Sequence, residues 1–169
     1  MKLSELPPVS ASLKAGYVKI IEDVERIITG LGERLQEYIR CAPACSSCCR
    51  DFSVFPLEAV LISEQFKASP PPDGHERHAH TCTFLHNDLC SIYAHRPLIC
   101  RTQGMAIGYI DEINERIEVS VCPLNFHDDY AFTPDDLLFL DTFNSRLADL
   151  NVQYCQEADI SIDTRIVLE

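Results

Sequence analysis

The chain has 169 residues, of which 26 are acidic and 14 basic, so its formal net charge is −12. Hydrophobic residues make up 46% of it, enough for a single domain over 1–169 with its own apolar core. Nucleic acid is excluded as a partner because Lys and Arg form no cluster, and a basic protein is the partner that this charge favours. The sequence has no apolar run typical of a signal peptide or a membrane-spanning helix. We therefore predict a cytoplasmic protein without a membrane partner, in which thiols stay reduced.

Helices are predicted over residues 12–40. Apolar side chains recur there at intervals of three and four residues, as on the buried face of a helix, with Lys and Glu between them. Gly30 and Gly32 interrupt the pattern. We therefore predict two consecutive helices in this segment, the second over Leu31–Arg40.

The middle of the chain predicts a helix, a loop and a hairpin. Pro56 suits the first position of a helix that continues to Lys67. Ser69–His80 is rich in proline and is expected to be an exposed loop. Met105–Ile110 and Ile117–Val121 are apolar runs rich in β-branched residues on either side of a polar turn, a pattern typical of a β-hairpin.

The last predicted helix covers residues 134–156. Thr133 suits the N-cap, Pro134 the first helical position, and two aspartates follow at the positive end of the helix dipole. Together these elements predict a mainly α fold with a small β-hairpin (α+β). Its central region, residues 41–125, is expected to be irregular and stabilised by metal.

Eight of the nine cysteines lie between Cys41 and Cys122, whereas Cys155 stands apart in the last predicted helix and is expected to be a buried structural thiol. An odd number of cysteines at this density disfavours a disulfide scaffold. Clustered thiolates are ligands of zinc, iron and iron–sulfur clusters. The candidate metal ligands are Cys41, Cys45, Cys48, Cys49, Cys82, Cys90, Cys100 and Cys122.

The first four of these cysteines are closely spaced. Cys45 and Cys48 have the C-x2-C spacing that lets two sulfurs reach one metal from a tight turn. The alternative is a helix on which cysteine acts as a small apolar residue, but four cysteines among nine residues disfavour it. Adjacent side chains such as Cys48 and Cys49 point in different directions in a regular backbone, so the two need not bind the same ion.

A denser signature follows the first cluster. It reads Cys82-Thr83-Phe84-Leu85, then Leu89-Cys90-Ser91-Ile92-Tyr93, then Arg96-Pro97-Leu98-Ile99-Cys100-Arg101. On these residues the chain resembles the YkgJ-type cysteine-cluster family, described as zinc- or iron-chelating domains. That family pairs a C-x2-C-x2-C-C cluster with a later C-x-F-L, C-x-I-Y, R-P and C-R signature. The resemblance extends from Cys41 to Cys122, although the family's first cysteine would fall at Ala42.

The resemblance implies that six cysteines chelate metal, with Cys41 and Cys122 as weaker candidates. These six are Cys45, Cys48, Cys49, Cys82, Cys90 and Cys100. Arg96 and Arg101 of the signature are candidate cofactor-binding residues, because guanidinium groups can hydrogen-bond to thiolate ligands and offset their charge. The alternative is that both arginines form surface ion pairs.

Two functions remain open at this point. The favoured one is a metal-binding chelator without a reaction of its own, holding Zn²⁺ in two closed four-thiolate sites, or iron. The alternative is an enzyme with a [4Fe–4S] cluster, either an oxidoreductase or a component of protein lysine N-methylation, since the relatives include flagellin lysine N-methylases. His75, His78 and His80 are weaker candidates for metal contacts because they lie in the proline-rich loop.

Overall fold

The computed structural model describes residues 6–68 and 81–168. The predicted loop over 69–80, with its three histidines, lies outside the described residues. The described helices are α1 (Ala11–Arg34), α2 (Pro56–Ala68), α3 (Leu98–Arg101) and α4 (Asp141–Glu157). The described strands are β1 (Ser53–Val54), β2 (Leu85–His86), β3 (Leu89–Cys90), β4 (Ile107–Asp111), β5 (Arg116–Ser120), β6 (Leu138–Phe139) and β7 (Ile166–Val167).

The N-terminal segment forms one helix, where two were predicted. Helix α1 runs through Gly30 and Gly32 without a break and ends at Arg34, so the predicted second helix over Leu31–Arg40 is wrong. A methyl group at either glycine would meet nothing within 4 Å, which means that these glycines lie on an open helix surface. A glycine in such a place weakens a helix but does not end it.

The main core lies between α1, α2 and α4. Helix α1 contributes an apolar stripe that includes Ile20 and Val24, and it packs against Leu57 of α2 and Leu147 of α4. Cys155 of α4 is fully buried in this core, which confirms the predicted burial of its thiol. Among the described helices, none is both long and apolar enough to cross a membrane.

The predicted hairpin is confirmed, but the predicted helix over 134–156 begins too early. Strands β4 and β5 pair antiparallel in register from Ile107–Ser120 to Asp111–Arg116. Thr133 and Asp136 form a capping box around a single 3₁₀ turn, after which Leu138 leaves the helical path. Strand β6 then pairs parallel with β4, and helix α4 starts at Asp141. Burial of Leu138 against the hairpin outweighs the local helix-start signal.

A second, smaller core supports the cysteine-rich region. Strands β1 and β7 pair antiparallel, and so do β2 and β3, which a two-residue turn at Asn87 and Asp88 connects. Both turn residues have positive φ, as a tight β-hairpin turn requires. Phe84 and Ile92 flank this hairpin and are buried together with residues of β1, α2 and β7. The architecture is therefore mixed α+β, as the sequence predicted.

Candidate metal centre

The first four cysteines lie on two consecutive turns, so the helical alternative for this segment is wrong. The backbone N–H of Cys45 donates to the carbonyl of Ala42 at 3.0 Å, and that of Cys49 donates to Ser46 at 2.9 Å. Ala44 has φ of 71°, a left-handed conformation that non-glycine residues seldom adopt. The turns are fixed to the β2–β3 hairpin by a 2.7 Å hydrogen bond from Ser46 to Asp88.

Asn125 forms hydrogen bonds with both Cys41, the first of the candidate cysteines, and Cys122, the last of them. Its side chain is buried, accepts a hydrogen bond from the backbone N–H of Arg40 at 2.8 Å and donates one to the Gly104 carbonyl at 2.7 Å. The same Nδ2 lies 3.5 Å from Cys41 Sγ, and the Asn125 backbone N–H donates to the Cys122 carbonyl at 2.9 Å. Cys41 and Cys122, 81 positions apart in the sequence, are thereby held by one residue.

Gly104 provides the space that the Cys41 sulfur occupies. A Cβ atom at this position would lie 2.5 Å from Cys41 Sγ, a distance that side chains do not tolerate. Gly104 also has φ of 91°, where any side chain is strained. A cradle that fits a cysteine sulfur, closed by an amide donor, suits a thiolate ligand, because hydrogen bonds to sulfur orient ligands and offset their charge.

Other cysteines are brought together around the β2–β3 hairpin. The Cys82 N–H donates to the Cys49 carbonyl at 3.2 Å, and Cys90 pairs across the hairpin with Leu85. The side chains of Cys82 and Cys90 both pack against the second core. Cys100 lies on α3, the short helix that follows this hairpin.

Electrostatic interactions between thiols reveal two sets of neighbours. Burial raises the pKa of Cys41, and the thiols of Cys45, Cys122 and Cys48 raise it further, while the Asn125 hydrogen bond lowers it. We call Cys41, Cys45, Cys48 and Cys122 the first thiol group. A metal that bound this group would have to displace the proton of Cys41 against this shift.

The second set surrounds Cys100. Burial raises the pKa of Cys100 to about 12, with further contributions from Cys82, Cys90 and Cys49. Burial also raises the pKa of Cys49 to about 11, and its thiol neighbours are Cys48, Cys82 and Cys90. We call Cys49, Cys82, Cys90 and Cys100 the second thiol group; Cys48 lies at the boundary between the two groups.

The sulfurs are neighbours without being closed around a point. In the part of the chain that the structure describes, no three Cys, His, Asp or Glu side chains converge closely enough to hold an ion. The donor chemistry nevertheless fits a soft metal, since each group consists of four thiols. Binding of an ion by either group would therefore include a rearrangement of its side chains.

Comparison with known protein families places the cysteine-rich segment of the chain in one of them. Residues 40–123, about half of the chain, match the family model described as "CxxCxxCC: Putative zinc- or iron-chelating domain". The chain belongs to this family. No curated protein and no solved structure matches it significantly. All eight candidate cysteines fall within the matched residues, and the family description supports a metal-binding role for the CxxCxxCC domain.

The two arginines of the CxxCxxCC signature have different surroundings. Arg101 is buried; its guanidinium forms an ion pair with Glu25 and donates to the backbone carbonyls of Ala94 and Arg96, so it fixes the loop before α3. Arg96 lies over the ring of Tyr93, at 3.6 Å from the centroid. Its positive charge lowers the pKa of Cys90 and Cys100 against the larger effect of burial. Arg96 therefore acts on the second thiol group through its charge.

Sequence analysis missed Asn125, Gly104 and Glu58. Glu58 is buried beneath α3, where its carboxylate accepts hydrogen bonds from the backbone N–H of Leu98 at 2.9 Å and from the Tyr17 hydroxyl at 3.3 Å. It positions the helix that carries Cys100. An acidic residue within the apolar run of α2 was the available signal, because buried carboxylates occur where they have partners.

A cleft of about 740 Å³ opens beside the first thiol group. Cys48 and Cys122 line it, as do apolar side chains of α3, β4 and α4, and the volume is that of a small-molecule site. Two cationic side chains, Arg50 and Arg165, also line the cleft. The CxxCxxCC domain thus has one thiol group beside a cleft and another against the second core.

Proposed function

We propose that this CxxCxxCC domain binds two metal centres through eight thiolates, the first thiol group holding one and the second thiol group holding the other. The observation that carries the proposal is that the three thiol neighbours of Cys41 and the three thiol neighbours of Cys100 have no member in common. Four thiolates are the complete ligand set of a closed zinc site or of an iron–sulfur cluster. We assign Cys48 to the first group because of its C-x2-C spacing from Cys45 and its place beside Cys122 in the cleft.

The surrounding residues support the proposed ligands in each group. Asn125 and Gly104 hold Cys41 in place at the first. At the second, the backbone N–H of Ile92 hydrogen-bonds to Cys90 and lowers the pKa of that thiol, in opposition to burial. A bound cation would supply the positive charge that keeps all four sulfurs of a group deprotonated. Metal binding on this proposal stabilises the fold, since residues 41–50 contain no helix or strand of their own.

A second candidate function is an iron–sulfur-dependent reaction, and the cleft is the observation that favours it. A purely structural metal site has no need of a small-molecule-sized cavity beside two of its ligands. On this alternative, a cluster at the first thiol group would supply electrons to a ligand in the cleft. The residues that would act on that ligand are the cleft cations Arg50 and Arg165, which would orient it.

Metal content measured on protein purified without oxygen tests both candidates. We expect two zinc ions per chain and no visible absorbance if the domain is a chelator, and iron with acid-labile sulfide and brown colour if it carries clusters. Cys45→Ser should lose the metal of the first thiol group, and Cys90→Ser should lose the metal of the second. Cys155→Ser is the matched control and should retain both. Full metal content in all three variants would refute the proposed ligands.

A further inference from the structure

The two thiol groups have different connections to the rest of the fold. The second is anchored to the interior, because Cys82 and Cys90 pack on the second core and Cys100 shares the short helix α3 with buried Leu98. Three cysteines of the first group, Cys41, Cys45 and Cys48, lie on the turns between Arg40 and Arg50, which also carry Cys49 of the second group. The residues of these turns are exposed or half-buried, and Cys41 itself is exposed. Opening the second group disturbs side chains packed on the second core, whereas opening the first disturbs surface turns and the hydrogen bonds of Asn125.

The cleft gives the first thiol group a route to ligands that the second lacks. Cys48 and Cys122 line the cleft, and none of the four cysteines of the second group does. A volume of about 740 Å³ accommodates a small chelating molecule beside these sulfurs. A metal held by the first group therefore lies within reach of a competing ligand in the cleft.

The charge of the cleft selects the sign of that ligand. Although the chain has a net charge of −12, two guanidinium groups line the cleft, together with one carboxyl group, that of the buried Glu58, which accepts hydrogen bonds from Leu98 and Tyr17. Within residues 6–68 and 81–168, neither Arg50 nor Arg165 forms an ion pair, and the same is true of Arg40 and Arg96. The other described arginines are all paired, namely Arg26, Arg34, Arg101, Arg116 and Arg146. Arg165 is instead stacked over the ring of Phe55 at 4.1 Å from the centroid. Guanidinium groups without carboxylate partners are suited to bind a carboxylate or phosphate ligand.

From these observations we infer that the first thiol group is an exchange site, which releases and receives its metal through the cleft to a small anionic chelating ligand, while the second is a permanent structural site. This inference rests on the proposed function, because it requires that both groups bind metal. In the exchange the metal passes between ligand sets without change of oxidation state, and the thiolates take up protons as it leaves.

Metal release from the zinc-loaded, full-length chain tests the inference. The release is followed with the anionic chelator EDTA and, separately, with a neutral tetrapyridyl chelator. With EDTA we expect two phases of one zinc each, with rates that differ roughly tenfold or more. Cys48→Ser should lose the fast phase and keep the slow one. Cys48→Ser changes a surface turn, so this test does not depend on the folding of variants in the second group.

Substitutions that remove a positive charge test whether the metal leaves through the cleft. Arg50→Gln should slow the fast phase with EDTA and leave its rate with the neutral chelator unchanged. Arg116→Gln is the matched control, since it makes the same charge change on β5 outside the cleft, and it should not slow either reaction. Equal effects of the two substitutions would overturn the cleft route.

The remaining outcomes distinguish a failure of the exchange-site inference from a failure of the two-site proposal. Two zinc ions that leave at one rate, or a fast phase that survives Cys48→Ser, would overturn the inference and leave the two-site proposal intact. Fewer than two zinc ions on the fully loaded chain would instead refute the two-site proposal itself.

Discussion

Substitution of Gly104 by alanine tests the packing around Cys41. The new Cβ would lie 2.5 Å from Cys41 Sγ, 0.9 Å short of the 3.4 Å at which ordinary contact begins. An L-residue at φ of 91° adds backbone strain of about 1–2 kcal/mol. Displacement of the exposed Cys41 side chain from its hydrogen bond with Asn125 adds about 1 kcal/mol.

A total destabilisation of about 3 kcal/mol is therefore expected for Gly104→Ala, which lowers the Tm of a chain of this length by about 6–12 °C. The same shift of the sulfur moves it away from Asn125, so the first thiol group should also bind metal more weakly. Differential scanning calorimetry on metal-free protein gives the first quantity, and metal titration gives the second.

Two controls isolate the cause. Gly30→Ala places the same methyl group on an open helix surface and should raise stability by about 0.5–1 kcal/mol. In the Cys41→Ala background, Gly104→Ala should cost about 1 kcal/mol less, because only the backbone strain remains. A cost for Gly104→Ala that is the same with and without the Cys41 sulfur would refute the proposed clash.

Three further predictions concern buried polar and thiol groups. Asn125→Ala leaves the Arg40 N–H and the Gly104 carbonyl without their partner and should cost roughly 2–3 kcal/mol in urea unfolding, with loss of metal from the first thiol group. Burial raises the pKa of Glu58, so the stability that its protonated form contributes is present at low pH and is lost as the pH rises through the folded-state pKa. Because glutamine does not titrate, Glu58→Gln should become more stable relative to the native chain as the pH rises from acidic to alkaline. A difference in stability between the two chains that does not change with pH would contradict the raised pKa of Glu58. Cys155→Ala should lower stability by about 1 kcal/mol and leave metal content unaffected, and a lost equivalent of metal would make this cysteine a ligand.

Local signals in the sequence predicted several elements correctly. Proline at the first position and a continuous apolar face were sufficient for α2, and the two β-branched runs around a polar turn were sufficient for the β4–β5 hairpin. Local signals failed where long-range contacts compete with them. Leu138 pairs with the hairpin and postpones α4, although Thr133 and Pro134 mark a helix start. The reverse occurs at Gly30 and Gly32, where Leu31 between them is buried in a cluster with Leu138 and the helix continues past two weak positions.

The sequence by itself determined that the protein has a cysteine-cluster domain with a metal-binding role, because the type and spacing of its residues define the family. Only the tertiary structure decided which thiols are neighbours. Cys48 and Cys49 are adjacent in the chain and interact with each other, yet Cys48 also has Cys41 as a neighbour and Cys49 has Cys82. Asn125, Gly104 and the cleft likewise carry no local signal. They depend on segments that folding brings together from opposite ends of the domain, and spacing along one chain does not encode such contacts.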